Sequence, residues 1–250
     1  FAIIQGLFGS YAATGTGPVT APQTNMRSVS MLWQNVEQFV VANQYAKTGT
    51  AADLVAMKGM TMGFGKQNSG TIGSNRVLLK GLGLDMAKDF KLMHGGYGPT
   101  ADALANGQVA GIGAPSGPPT GAITKLMASN AAKFTMLTVT PDEAKKMDGG
   151  RNLWVPYTIK AGTYPGQTKD LLTIAQPNFL AVNADVSEEH VYLLTKAIYE
   201  NLPFLQAIHK ATKAMNVQAA TAGLPVPLHP GAARYYKEVG VDIPAHLMAK

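Results

Sequence analysis

Short strand-like segments alternate with helix-like segments along most of this chain, and that alternation limits the folds open to it. The apolar run Met60–Gly65 leads into a segment with apolar residues at helical spacing, which ends at Gly81 and Gly83. The pattern recurs with a helix over Ala101–Ala105 and a strand over Val109–Gly113. Repeated units of this kind predict an α/β fold, with a parallel or mixed sheet and helices on its faces.

Two segments of similar sequence suggest that the chain crosses twice between two domains. Phe39–Asn43 and Phe179–Asn183 both have the pattern of a strand, and both end in asparagine. At about 150 residues per domain, a chain of this length also favours one to two domains. We therefore predict domain I from residues 1–42 and 178–250, domain II from residues 43–177, and two hinge strands between them. The alternative is a chance similarity between two apolar strands.

Composition excludes several kinds of site. The chain has no cysteine, which rules out disulfides, thiolate metal ligands and a cysteine nucleophile. No two histidines stand three or four residues apart, so we interpret all five as surface or packing residues: His94, His190, His209, His229 and His246. The net charge of +6 is dispersed and favours a solvated surface over nucleic-acid binding. No apolar run approaches the roughly 18 residues needed to span a membrane.

Two loops that lead from a strand into a helix are candidates for ligand binding. In the first, Asn68, Ser69, Gly70 and Thr71 stand at the start of a helix. Free N–H groups and partial positive charge at such a position suit a carboxylate or another small anion. The second loop covers residues 114–119, and ligands in open α/β sheets bind beyond the carboxyl ends of strands. The alternative for the first loop is that Ser69 or Thr71 only caps its own helix.

Six segments spread over nearly the whole chain carry a resemblance to a known family. They are Leu54–Gly59, Asn68–Thr71, Leu104–Gln108, Thr163–Gln167, Pro177–Leu180 and Gly223–Ala232. Together they resemble the TAXI family, the TRAP-associated extracytoplasmic solute-binding proteins. The resemblance implies a type II periplasmic-binding-protein fold, in which two α/β domains joined by two hinge strands hold one solute in a cleft. It also implies that the first part of domain I precedes residue 1.

The function implied by the resemblance is transport. A periplasmic protein of this kind captures a small carboxylate, such as a glutamate-like amino acid or a dicarboxylate, and delivers it to the membrane subunits of a TRAP transporter. The expected partners are therefore a small anionic organic solute and those subunits, with no nucleic acid, metal, cofactor or catalytic residue. Two alternatives stay open: a periplasmic sensor or antigen that binds solute without transport, and an enzyme on the type II fold.

The resemblance also indicates which residues contact the solute. The turn Asn68–Thr71 is expected to hold its carboxylate. The further candidate contacts are Gln5, Trp33, Gly117 and Tyr164. Two of these have an alternative role, since an aromatic ring at Trp33 is equally suited to core packing and Tyr164 to support of the second hinge.

Overall fold

The computed structural model describes residues 1–208 and 210–248. In chain order, the strands are β1 (Ala2–Gln5), β2 (Met26–Val36), β3 (Phe39–Ala42), β4 (Thr61–Gly63), β5 (Lys91–Leu92), β6 (Gly111–Gly113), β7 (Phe134–Met136), β8 (Val155–Ile159) and β9 (Leu171–Asn183). The helices are α1 (Gly6–Thr14), α2 (Gly70–Gly81), α3 (Met86–Asp89), α4 (Tyr97–Ala105), α5 (Gly121–Asn130), α6 (Pro141–Asp148), α7 (Glu188–Glu200), α8 (Leu202–Ile208) and α9 (Pro230–Glu238).

The chain forms two compact units. Unit 1 comprises Phe1–Asn35 and Gln176–Lys250, and unit 2 comprises Val36–Ala175. The chain passes from one unit to the other twice, once at the end of β2 and once within β9. The packing of the structure divides the chain after residues 35 and 175, whereas the sequence predicted boundaries after residues 42 and 177. The predicted domain assignment stays a prediction.

Unit 1 is built on a sheet in which β9 lies between β1 and β2. β1 runs antiparallel to β9, with Ile3 opposite Leu180. Helices α7 and α9 pack tightly together, because Gly231 brings the start of α9 against the backbone of α7. The core of the unit joins side chains of both strands and helices, including Val29, Phe179, Val191 and Tyr236.

The start of α9 is fixed by a buried histidine. His229 is 1% exposed and precedes Pro230, the first residue of the helix, where a missing N–H is tolerated. Its Nδ1 accepts from the Gly231 N–H at 3.2 Å, and its Nε2 therefore donates to the Val186 carbonyl, 2.9 Å away. The segment Gly223–Ala232 thus has a structural role in unit 1.

The histidines occupy the two kinds of position predicted for them. His229 is a packing residue, whereas three others are exposed: His94, His190 and His246. The remaining one, His209, lies outside the described residues.

Unit 2 contains a mixed sheet with the strand order β5-β4-β6-β3-β7. β4 is parallel to both β5 and β6, whereas β3 is antiparallel to β6 and β7. Its core packs strand residues such as Ile112 against Leu104 of α4 and Leu126 of α5. The predicted α/β class is confirmed by these strands and the helices that pack against them.

The first of the two similar segments is not a hinge strand. Phe39–Ala42 is β3, which pairs through Val40 with Ile112 of β6 on one side and Met136 of β7 on the other. It therefore lies inside the sheet of unit 2, and the first crossing is made by β2. The second segment forms the end of β9, where it pairs with β1 in unit 1.

A buried carboxylate joins two separate parts of unit 2. Glu143 of α6 is 8% exposed and accepts hydrogen bonds from the hydroxyl of Thr50 (2.5 Å) and from the amides of Ala52 and Thr140 (both 2.7 Å). Burial alone raises the pKa of this carboxyl, but the three hydrogen bonds outweigh it and hold the pKa below its usual value.

Stability should therefore depend on the ionisation of Glu143. Because the pKa of Glu143 is lower in the folded state than in the unfolded state, its ionised carboxylate stabilises the fold at pH values above the unfolded-state pKa of about 4.3. That contribution is lost as the pH falls through the folded-state pKa. We expect Glu143→Gln to lower the free energy of unfolding by about 1–3 kcal/mol near neutral pH, and by less in acid. Urea unfolding of both proteins at several pH values measures this difference. Asp142→Asn, at the exposed neighbouring position, should change little, and a Glu143→Gln effect independent of pH would contradict the account.

Candidate functional site

Two loops of unit 2 follow neighbouring parallel strands and so emerge at the same edge of the sheet. β4 and β6 are paired with Gly63 opposite Ile112, and the loops at 64–69 and 114–120 begin where these strands end. The buried side chain of Asn75 holds the two strand ends together. Its Nδ2 donates to the carbonyls of Phe64 and Gly113, at 3.0 and 3.1 Å. Both sequence-predicted loops therefore stand side by side in unit 2.

Ser69 is the N-cap of α2. Its Oγ accepts from the Ile72 N–H at 3.3 Å and donates to the Lys66 carbonyl at 2.6 Å. The preceding Asn68 is exposed and has a φ of +57°, a left-handed conformation that asparagine adopts more readily than most residues. Ser69 therefore does cap α2, and its hydroxyl proton is already used within the loop, while ligand contact by Asn68 and Ser69 stays a prediction.

The hydroxyl proton of Thr71 is also used. Thr71 Oγ1 lies 2.9 Å from the hydroxyl oxygen of Tyr97, which is itself hydrogen-bonded to the Pro115 carbonyl. A carbonyl can only accept, so Tyr97 donates to Pro115, and Thr71 must donate to Tyr97. Burial raises the pKa of Tyr97, so its hydroxyl stays protonated as this arrangement requires. Tyr97 thus connects the first loop to the second.

The donors that remain at the start of α2 are main-chain amides. In the described part of the chain, the N–H groups of Gly70 and Thr71 have no acceptor. They are the first two amides of a 12-residue helix, whose N-terminus carries partial positive charge. The arrangement can bind an anion through two parallel N–H groups, whereas sequence reasoning pointed to the hydroxyls of Ser69 and Thr71 as well.

The second loop is held by a buried amide, that of Gln38, which is 1% exposed. Its Nε2 lies 3.1 Å from the hydroxyl oxygens of Ser116 and Thr120, while its Oε1 accepts from the hydroxyl of Tyr164. The same Tyr164 oxygen accepts from the Thr120 N–H at 2.9 Å. One network therefore fixes both ends of the loop that contains Gly117.

Tyr164 has a supporting role in this network. It is 2% exposed, and its hydroxyl both donates to Gln38 and accepts from Thr120. These contacts favour a role for Tyr164 in holding the protein's own structure over a role in ligand contact. What Tyr164 holds is the 114–120 loop and not a hinge strand. Burial raises the pKa of the Tyr164 hydroxyl, which keeps it protonated as a donor.

The other three candidates stand on elements other than α2. Gly117 is half-buried in the second loop of unit 2. Trp33 and Gln5 belong to unit 1, where Trp33 is a half-buried residue of β2 and Gln5 ends β1 opposite Asn178. Because the Trp33 side chain is half-buried, it is compatible with core packing and with ligand contact alike. Ligand contact by Gln5, Trp33 and Gly117 stays a prediction.

Sequence reasoning missed three residues that shape these loops: Gln38, Asn75 and Tyr97. Tyr97 is 26 residues from Thr71, and Gln38 is 126 residues from Tyr164. Contacts at such separations leave no local pattern in a single sequence. Asn75 did leave a sign in the sequence, because a polar residue on the apolar face of an otherwise amphipathic helix must find a buried hydrogen-bond partner.

Comparison with known proteins decides the family. A protein-family model described as the NMT1-like family matches residues 1–240. The chain belongs to the NMT1-like family. Proteins of this family bind substrates and are not enzymes, which agrees with a prediction that contains no catalytic residue. The match does not distinguish the TAXI proteins within the family.

Solved structures similar to this NMT1-like protein share little sequence with it. A protein from Bordetella bronchiseptica is 14% identical, with a TM-score of 0.49 over 93% of this chain and 62% of the other. The TctC solute-binding protein from Polaromonas is 13% identical, with a TM-score of 0.45 over 96% and 77%. The periplasmic aliphatic sulphonate binding protein SsuA from Escherichia coli is 12% identical, with a TM-score of 0.38 over 84% and 52%. The chain thus spans about half to three fifths of the length of the first and third of these proteins.

The helices of this NMT1-like protein are short. Within residues 1–208 and 210–248, none has both the length and the apolar character needed to cross a bilayer.

Proposed function

We propose that this NMT1-like protein is a periplasmic solute-binding protein that captures a small carboxylate and delivers it to the membrane subunits of a TRAP transporter. The observation that carries the proposal is the pair of amides, Gly70 and Thr71, at the start of α2. Both neighbouring hydroxyls are held by the protein itself, so this point offers only N–H donors to a ligand. The narrower assignment to TRAP transport rests on the resemblance of the six segments to TAXI proteins.

A carboxylate suits this position better than a neutral group. Its two oxygens match two adjacent N–H donors, and hydrogen bonds to a charged acceptor contribute roughly 1.5–3 kcal/mol each. Lys66 is exposed in the same loop, and none of the ion pairs among the described residues includes it. Its charge adds to the positive potential at the helix start. We therefore propose glutamate-like amino acids and dicarboxylates as the ligand class.

The proposal can be tested by removing one of the two amides. Gly70 is the first residue of α2 and follows Ser69, whose ψ of 159° is compatible with a following proline. Proline is tolerated at this position, as Pro141 and Pro230 show in α6 and α9. Gly70→Pro should therefore delete an anion-binding N–H while the helix stays intact. Gly121→Pro, at the first residue of α5, makes the same change where an added side chain meets open space.

Thermal unfolding with L-glutamate, succinate, L-leucine and phosphate, each in large excess, gives the measurement. A ligand at a hundred times its Kd adds about 2.7 kcal/mol, which raises the Tm by roughly 5–10 °C for a protein of this size. We expect this shift with glutamate or succinate, and a Kd about 10- to 100-fold weaker in Gly70→Pro. If Gly70→Pro bound the carboxylate as tightly as the natural protein, or if Gly121→Pro lost as much affinity as Gly70→Pro, the ligand would have to bind elsewhere. No shift with either carboxylate would reject the proposed ligand class.

A further inference from the structure

The excess of basic residues is concentrated in unit 2. This unit holds 14 of the 21 lysines and arginines but only 9 of the 15 acidic residues, and so carries most of the net charge of +6. Several of these cations are paired, among them Lys58 with Asp89, Lys125 with Asp102 and Lys160 with Asp170. The distribution of the unpaired cations is therefore what shapes the surface potential.

Four unpaired cations lie on two helices that pack against each other. Arg76 and Lys80 stand one turn apart on α2, and Lys145 and Lys146 are in the last turn of α6. The two helices meet at Gly81, where an added Cβ would lie 2.2 Å from the Lys146 carbonyl oxygen. This close approach brings the ends of both helices together. We define these four exposed residues as the basic face.

Of the acidic residues nearest in sequence to the basic face, Asp142 is exposed one turn before Lys145 and Lys146 on α6 and forms an ion pair with neither, whereas the others already accept main-chain amides. The Asp148 carboxylate accepts the amides of Asn152, Leu153 and Trp154 at 2.8–3.1 Å. Glu143 faces the 50–52 segment, as described above. Asp85 caps α3 through the amides of Ala87 and Lys88. Among the described residues, no ion pair includes any of the four cations of the basic face.

A surface depression of about 430 Å³ lies beside the α2 half of the basic face. Arg76 and Lys80 line it together with Asp85, and the buried side chains of Leu84 and Met86 also contribute to its wall. Two cations beside an apolar wall suit a phosphate group that is attached to a less polar body.

We propose that the basic face is a docking surface for an anionic phospholipid membrane. Each lysine or arginine near such a surface contributes about 1 kcal/mol of attraction. A protein partner is less suited, because lysine is depleted in protein interfaces, which rely on buried aromatic and apolar anchors. None of the large exposed apolar side chains among the described residues lies on α2 or α6. The surface is separate from the amides at the start of α2 and does not depend on the proposed solute.

Co-sedimentation with lipid vesicles tests this proposal. Vesicles of phosphatidylcholine with about 30% phosphatidylglycerol are compared with pure phosphatidylcholine at low salt. We expect the natural protein to bind only the anionic vesicles and to be released near 0.5 M NaCl, about where charges are screened. The triple variant Lys80→Gln/Lys145→Gln/Lys146→Gln should bind on the order of 100-fold more weakly.

A matched control separates this surface from net charge. Lys47→Gln/Lys133→Gln/Lys169→Gln removes three exposed lysines from other parts of unit 2 and should bind nearly as well as the natural protein. If both triple variants lost the same amount of affinity for anionic vesicles, the proposal would be overturned, since binding would then depend only on total charge. Failure of the natural protein to bind anionic vesicles would also overturn it, and binding to polyglutamate in that case would favour an acidic protein as the partner.

Discussion

Gly231→Ala is expected to lower the free energy of unfolding by about 3 kcal/mol. A methyl group at this position would lie 2.2 Å from the Glu188 carbonyl oxygen and 2.6 Å from the Tyr192 nitrogen. Both atoms belong to the backbone of α7, so no side chain can rotate away, and α9 must move. That movement would loosen the packing of Tyr236, which is fully buried and donates to the Val29 carbonyl at 2.8 Å.

Thermal and urea unfolding measure the effect of Gly231→Ala. The matched control is Gly121→Ala, because an added Cβ there has nothing within 4 Å and the residue also begins a helix. Alanine is the better helix former, so this control should be neutral or stabilising by up to about 1 kcal/mol. A Gly231→Ala protein as stable as the natural one would show that α7 and α9 are not packed as closely as described.

Gln38→Leu is expected to lower the free energy of unfolding by about 2–4 kcal/mol. Leucine is similar in size but leaves the Tyr164 hydroxyl without its acceptor, and it removes the donor shared by Ser116 and Thr120. Because Gln38, Tyr164 and Thr120 are buried, water cannot readily replace the contacts among them, whereas Ser116 is half-buried and regains a water partner more easily. The 114–120 loop should also become more accessible, which limited proteolysis of the folded protein detects.

A double-mutant cycle with Tyr164→Phe tests whether the two side chains act as one unit. Since each single change breaks the same hydrogen bond, the double variant should be more stable than the sum of the two effects predicts, by about 1 kcal/mol or more. Effects that simply add would show that Gln38 and Tyr164 stabilise the loop independently.

The strand, loop and helix around residues 60–81 could be predicted because their signals are local. Glycines bound the strand, apolar residues recur at helical spacing, and β4 and α2 occupy the expected segments. The partner of a strand has no such signal. Phe39–Ala42 has the composition of any apolar strand, and only its pairing with β6 and β7 shows that it lies inside unit 2.

The same distinction applies to the candidate site. Helix-start chemistry correctly indicated Ser69 as a cap, and the turn Asn68–Thr71 as a place where N–H donors converge. Which donors remain for a ligand depends on Tyr97, because its position on α4 determines where the Thr71 proton goes. That information lies in the fold of unit 2 and not in the spacing of residues in the loop.

We propose above that the amides of Gly70 and Thr71 bind the carboxylate of the solute. Two-dimensional ¹⁵N–¹H NMR of the labelled protein during titration with glutamate or succinate observes both amides directly. We expect downfield proton shifts for these two amides, larger than those of the first amides of α5 and α7, because each gains a hydrogen bond to a charged acceptor. Saturable binding that leaves both resonances unchanged would contradict it.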